Sequence, residues 1–178
     1  HHKRWHGHIN AHARSVLLAP AEHGKSRQCI YTLLWLLGKH PEWRVMLLGD
    51  TFTQASKWSR MAREHVEQNA RLRMVFPHLV PGSPWTDAAW TVGGRQYGQG
   101  EASCVAVGVL GPVLGARVEL LIADDLCNQE NTANPSGRTK LVEWFETTAL
   151  SRVMAEGKVV IVQTSWHPDD LAHVFERR

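Results

Sequence analysis

Four short, nearly unbroken apolar runs constrain this chain most: "SVLLAP" (15–20), "WRVMLLGD" (43–50), "VELLIADDL" (118–126) and "KVVIVQTSW" (158–166). Continuous apolar runs, as opposed to alternating ones, belong to strands buried on both faces, the habit of a parallel sheet. The segments between them have helical spacing. "SRQCIYTLLWLLGKH" (26–40) predicts a helix stopped at Gly38, with Pro41 beyond. "TQASKWSRMAREHVEQNARL" (53–72) predicts one long amphipathic helix, and "RTKLVEWFETTALSRVMAEG" (138–157) another, stopped by Gly157. A last helix is expected to open at "HPDDLAHVF", with Trp166 or His167 before it and Pro168 at its first position. "FPHLVPGSPW" (76–85) and "NQENTANPSG" (128–137) read as connections, and residues 89–110 as a hairpin pair turning at Gly93-Gly94. The expected architecture is α/β, a mostly parallel sheet with helices on both faces.

The 178 residues suit one domain, and 43% hydrophobic with 21% charged residues suits a packed globular chain. No apolar run approaches the roughly 20 residues that span a bilayer. The opening "HHKRWHGHINAHAR" lacks the apolar centre of a secretory signal. Cys29, Cys104 and Cys127 form no C-x-x-C pair, which argues against zinc and a disulfide framework and for a reducing cytoplasm. A net charge of +3 permits a polyanionic partner without demanding one. Lys57, Arg60, Arg63, Arg71 and Arg73 fall along one helical region and read as its solvated face.

The stretch "LLAPAEHGKSRQ" ends an apolar strand and opens a helix. A phosphate-binding loop needs backbone N–H groups turned toward oxygens, a lysine and a hydroxyl for Mg²⁺. Ala19, Pro20, Ala21, Glu22, His23, Gly24, Lys25, Ser26 and Arg27 are therefore the candidate nucleotide-binding segment. Lys25 is assigned to the β/γ-phosphates and Ser26 to the metal. Ala19 replaces the glycine that usually opens the pattern, so a strand–helix turn that happens to contain G-K-S is the alternative. "ELLIADD" supplies the acids: Asp124 for the magnesium shell, Asp125 to polarise the attacking water. Solvated loop carboxylates are the bland alternative. Thr164, at the end of "VVIVQTSW", is the expected γ-phosphate sensor, or else a hydroxyl capping the next turn.

These pieces in this order resemble the large terminase subunit of tailed bacteriophages, through "LLAPAEHGKS", "GDTFTQA", "EASCVAVGVLGPVLGARVELLIADDL" and "VVIVQTSWHPDDLAH". The resemblance covers nearly the whole chain. It implies a P-loop NTPase of the additional-strand type, residues 1–178 being a single ATPase domain, with the C-terminal nuclease absent from this chain and no nuclease activity expected. The implied activity is Mg²⁺-dependent ATP hydrolysis driving double-stranded DNA into a procapsid, in the cytoplasm of an infected bacterial host. The implied partners are double-stranded DNA, the portal protein, the small terminase subunit and further copies in a ring, a pentamer by family resemblance. Terminases tolerate a deviant first position in the phosphate loop. They frequently carry an arginine within it, where this chain has Ala21 and Glu22, and a missing cation there implies slower hydrolysis with nucleotide binding intact. By resemblance Arg117 is the arginine finger acting on a neighbour's nucleotide, with a salt bridge to Glu119 as the alternative, and Arg138 and Arg152 as weaker fingers. Trp5 or Arg4 is a candidate to stack on the base, or else the segment packs as a lid on the core. Trp35, Trp43, Trp58, Trp85, Trp90 and Trp144 read as core or interface residues. Two rival functions share these motifs: a helicase-like translocase, and a weakly hydrolysing nucleotide-binding assembly module.

Overall fold

A seven-stranded sheet organises the chain, described here for residues 1–95, 100–113, 115 and 117–177 of a computed structural model. Its strands are β1 (Arg14–Leu18), β2 (Val45–Gly49), β3 (Pro81–Trp85), β4 (Ala89–Val92), β5 (Cys104–Gly108), β6 (Val118–Asp124) and β7 (Val153–Gln163). They lie in the order β1-β7-β6-β2-β5-β4-β3. The first five in that order pair in parallel, and β4 and β3 join antiparallel at one edge. The four apolar runs became four adjacent parallel strands, because a strand in that environment is covered on both faces. The sheet is mostly parallel, as expected, and β7 stands between β1 and β6, as the additional-strand type requires.

The helices are α1 (His2–Ala11), α2 (Lys25–Lys39), α3 (Phe52–Gln68), α4 (Ala70–Val75), α5 (Gln129–Thr132), α6 (Pro135–Trp144) and α7 (Leu171–Glu176). Strand side chains alternate between faces. Leu120, Ile122, Val160 and Val162 meet Ile30, Leu33 and Leu37 of α2, together with Ile9 of α1 and Ala62 and Val66 of α3. Leu121, Ala123, Val159 and Ile161 meet Leu141, Phe145, Leu171 and Ala172 on the other side. Helices therefore cover both faces. Trp90 is fully buried, its indole N–H donating to Ser59 Oγ at 2.9 Å, and Trp43, Trp58, Trp85 and Trp144 pack against the two cores. Trp35 is 37% exposed and meets Phe76 edge-on.

Several boundaries differ from the sequence expectation. The helix expected over 53–72 breaks at Asn69, whose side chain accepts from Arg71 N and Leu72 N and caps α4. The helix expected to run to Gly157 becomes a π-helical turn at Phe145–Ala149 and a 3₁₀ turn at Leu150–Arg152, and β7 begins at Val153. Residues 76–85 contain edge strand β3, and residues 128–137 contain α5 and the start of α6. Gly38 does not stop α2, which runs to Lys39; the Phe76 ring packs onto it, leaving no room for a Cβ. Pro168 does not open α7: Asp170 caps that helix by accepting from His173 N, and the helix starts at Leu171. Arg63 leaves the solvated face, donating to the Trp85 carbonyl at 2.7 Å and pairing with Asp87 at 3.0 Å. Gly93 and Gly94 do turn the chain after β4, and β4 and β5 pair antiparallel; residues 96–99 of that connection lie outside the described residues.

Gly49 and Gly108 are register partners at the ends of β2 and β5. The start of α3 crosses directly above them: a Cβ at Gly108 would lie 2.4 Å from Phe52 N, and one at Gly49 2.8 Å from Ala55 N. Backbone atoms cannot yield as flexible side chains do. Gly108→Ala is therefore expected to cost about 2–3 kcal/mol in urea denaturation, the usual scale of overpacking. Gly7→Ala, in exposed helix with nothing within 4 Å, should instead gain about 0.5–1 kcal/mol from helix propensity.

Candidate functional site

Three loops meet where β1, β7 and β6 end, because those strands are adjacent and parallel. The first runs from Ala19 to Gly24. Glu22 (φ 63°) and Gly24 (φ 76°) are left-handed, and Gly24 is the N-cap of α2. Alternating handedness of this kind folds a backbone into an anion-binding turn. His1 Nε2 donates to the His23 carbonyl at 3.1 Å, and the His2 ring packs against Gly24. The loop is thus backed by the first turn of α1, a contact that no sequence motif announced.

Lys25 is buried, 5% exposed, and its ammonium donates to the Pro20 carbonyl at 2.9 Å and to Thr164 Oγ1 at 2.8 Å. It lies 3.7 Å from Asp125 Oδ2. Asp125 also accepts from Thr164 N–H at 2.7 Å and from Thr164 Oγ1 at 3.3 Å. Three residues singled out from sequence, 25, 125 and 164, therefore share one hydrogen-bonded cluster. Asp125 is left-handed (φ 51°), which points its carboxylate back across the end of β7. A non-glycine residue in that region costs on the order of 1–3 kcal/mol and tends to mark a functional constraint.

Asp124 is 2% exposed and is held by the Ser26 hydroxyl and, at 3.7 Å, by the Cys29 thiol. Burial above all pushes its carboxyl up, to about 6, with the neighbouring Asp125 charge adding to the rise and the Ser26 bond opposing it. Burial also pushes the Cys29 thiol well up, so it stays protonated and donates. Ser26 and Asp124 form an oxygen-only pair at one point, the donor chemistry that hard divalent cations prefer. A buried carboxylate held against a serine hydroxyl is a fit for such an ion. Among the described residues there is no cluster of three or more His, Cys, Asp or Glu suited to a metal.

Ala19, Pro20, Ala21, Glu22 and His23 form the loop as expected, and Arg27 is exposed on the first turn of α2. Arg117 is exposed and stands at the opposite end of β6 from Asp124. The salt bridge considered for it does not form, since Glu119 pairs with Arg44 at 2.7 Å. Arg138 is engaged with the Thr132 carbonyl at 2.7 Å. Arg4 and Trp5 line a cavity of about 490 Å³ with His1, His8, Leu18 and Glu176, while Trp5 also packs against the core. Sequence reasoning missed Cys29 and Gln163. Each is a buried polar group whose partner depends on strand order, and the only available signal was a glutamine ending an apolar run.

The fold has solved counterparts. The solved large terminase ATPase domain of Thermus phage P74-26 aligns over 84% of this chain, with a TM-score of 0.55 and 17% identity. A point-mutant form of that domain aligns over the same share, with a TM-score of 0.52 and 19% identity. The fold is similar to that of this large-terminase ATPase domain, an α/β arrangement with a mostly parallel sheet covered by helices on both faces. This chain spans 58% of the length of those terminase chains. No family model and no curated protein matches it. Among the described residues no helix is long and apolar enough to cross a membrane.

The raised Asp124 carboxyl gives a stability test. A folded-state pKa of about 6 against an ordinary 3.8 means that the folded state binds the proton more tightly. The resulting stabilisation is complete below about pH 3.8 and is lost as pH rises through 6. At pH 8 the buried charge therefore opposes folding. Asp124→Asn is expected to stabilise the metal-free protein at pH 8 by up to about 3 kcal/mol in denaturant melts, a gain that shrinks as pH falls from 6 toward 3.8.

Proposed function

We propose that this chain is the ATP-hydrolysing motor domain of a terminase large subunit, which drives double-stranded DNA into a procapsid. The observation that carries the reading is the cluster of Lys25, Asp125 and Thr164 beside the Ser26–Asp124 pair, gathered at the C-terminal ends of the adjacent strands β1, β7 and β6. Lys25, on a loop of backbone donors, neutralises the β- and γ-phosphates. Ser26 and Asp124 are the residues to hold Mg²⁺, which when bound supplies charge neutralisation across those phosphates. Asp125 orients and polarises the attacking water and takes its proton as the new O–P bond to the γ-phosphorus forms and the bond from that phosphorus to the β–γ bridging oxygen breaks, with ADP as the leaving group. Thr164 touches both Lys25 and Asp125, so it senses the γ-phosphate from within hydrogen-bond reach of the two groups that act on it. Catalysis here is positioning and electrostatics, as phosphoryl transfer requires.

Arg117 completes the proposal as a finger supplied to a neighbouring copy, with Ala21 and Glu22 leaving the loop short of a cation of its own. The proposed partners are double-stranded DNA, the portal protein, the small terminase subunit and further copies in a ring. The weakly hydrolysing assembly module is the second reading, favoured by the same Ala21 and Glu22.

Steady-state ATP hydrolysis against protein concentration tests this. Lys25→Ala and Asp125→Asn are each expected to lower turnover by about 100-fold or more, with Asp125→Asn still binding nucleotide. Turnover rising faster than linearly with protein, and falling to linear in Arg117→Ala, is the outcome a shared site requires. Tight nucleotide binding with no Lys25-dependent turnover at any concentration would leave the assembly module standing instead.

A further inference from the structure

Gln163, the last residue of β7, is fully buried. A primary amide has two donor hydrogens and an acceptor oxygen, and burying it is costly unless those groups are bonded. Here Nε2 donates toward three oxygens: Asp125 Oδ1 at 3.2 Å, the Thr164 carbonyl at 3.0 Å and the Cys127 carbonyl at 3.4 Å. Oε1 accepts from Cys127 N–H at 3.3 Å. One side chain thus bridges the tip of β7, the carboxylate after β6 and the segment that leaves it. The bonds continue outward. Asn128 and Asn131 cap α5 reciprocally, Asn131 Nδ2 donates to the Leu126 carbonyl at 2.8 Å, and Arg138 reaches from α6 to the Thr132 carbonyl.

Asp125 has a half-exposed side chain with Lys25 3.7 Å from one of its oxygens. Thr164 alone gives it one backbone and one hydroxyl bond. A second donor to Oδ1, from an amide whose two hydrogens are shared among three oxygens and whose own oxygen accepts from Cys127 N–H, removes the remaining freedom of the carboxylate plane. We propose that Gln163 is a positioning residue. Its amide fixes Asp125 in the orientation that hydrolysis needs and joins that carboxylate, Thr164 and residues 126–132 into one rigid unit. The inference rests on the ATPase reading of the site. Its scale follows from geometry, since a displacement near 1 Å in a reacting group costs on the order of 100-fold in rate.

Two variants test it beside the wild type, by ATP turnover, fluorescent-nucleotide affinity and hydrogen exchange. Gln163→Leu is expected to lower kcat at least about tenfold while KM and nucleotide affinity stay within about threefold, the split that marks loss of an orienting contact. Exchange should rise across 126–132 and stay unchanged in α2. Gln163→Met keeps the length and burial without adding a charge but loses the amide donors, so its turnover should fall equally; it decides the matter if Gln163→Leu does not fold. Wild-type turnover in either folded variant overturns the inference. Unchanged exchange across 126–132 in Gln163→Leu overturns the rigid unit whatever the turnover. A wild type with no Lys25-dependent hydrolysis defeats the ATPase reading separately, and the exchange comparison still decides whether Gln163 holds that segment.

Discussion

The pairing of β7 between β1 and β6 is the constraint on which everything at the site depends. Its ladder does not stop at the strand ends. Ala19 N–H donates to the Gln163 carbonyl at 3.1 Å, and Asp125 N–H donates to the Val162 carbonyl at 2.8 Å. Ala19, which opens the loop before α2, and Asp125 are therefore held by sheet hydrogen bonds, and the intervening side chains need only short reaches to meet. A site hung on the C-terminal ends of adjacent strands in this way is more rigid than one assembled from free loops. A shift of β7 by one residue would exchange its two faces and take Thr164 out of reach of Lys25 and Asp125.

That rigidity supports features which are locally unfavourable. Asp124 is a buried carboxylate whose charge burial disfavours, and Asp125 and Glu22 hold left-handed backbones. The two aspartates lie at the end of β6, whose apolar side chains are almost wholly out of water on both faces. The core absorbs what the site loses. This is the pattern expected where electrostatic preorganisation is needed: groups aimed at a future charge cannot also be optimally satisfied among themselves.

Much of this was legible in sequence, and the failures have physical causes. The four apolar runs mapped to parallel strands within a few residues, since burial on both faces leaves an unmistakable pattern. β3 went unseen because Pro81 and Pro84 read as loop; an edge strand tolerates them where a central one would not. The start of β7 was read as helix because Ala155 and Glu156 are exposed there and break the apolar run. The break at Asn69 was hidden by apolar periodicity that continues across it, although asparagine is a strong cap. Lys25, Ser26, Asp124, Asp125 and Thr164, each singled out in sequence, come together in space, since each ends an apolar strand or opens the helix that follows one. Gln163 and Cys29 were not, since their partners become neighbours only once strand order is known.

Strand direction also bears on the role proposed for Arg117. It precedes Val118, and Asp124 ends the same strand. Seven residues of strand at about 3.3 Å each separate the two by roughly 20 Å, beyond the reach of any side chain. Glu119, the acid nearest in sequence, is already held by Arg44 through both a backbone and two guanidinium bonds. An arginine so placed can serve a nucleotide only if that nucleotide belongs to another copy. The contact must then bring the N-terminal end of one sheet toward the C-terminal end of the next. Such a contact uses two different surfaces, so it cannot close as a twofold dimer; it repeats head to tail and closes only as a ring. The polarity of a single strand thus links the proposed finger to the proposed assembly, and the two stand or fall together.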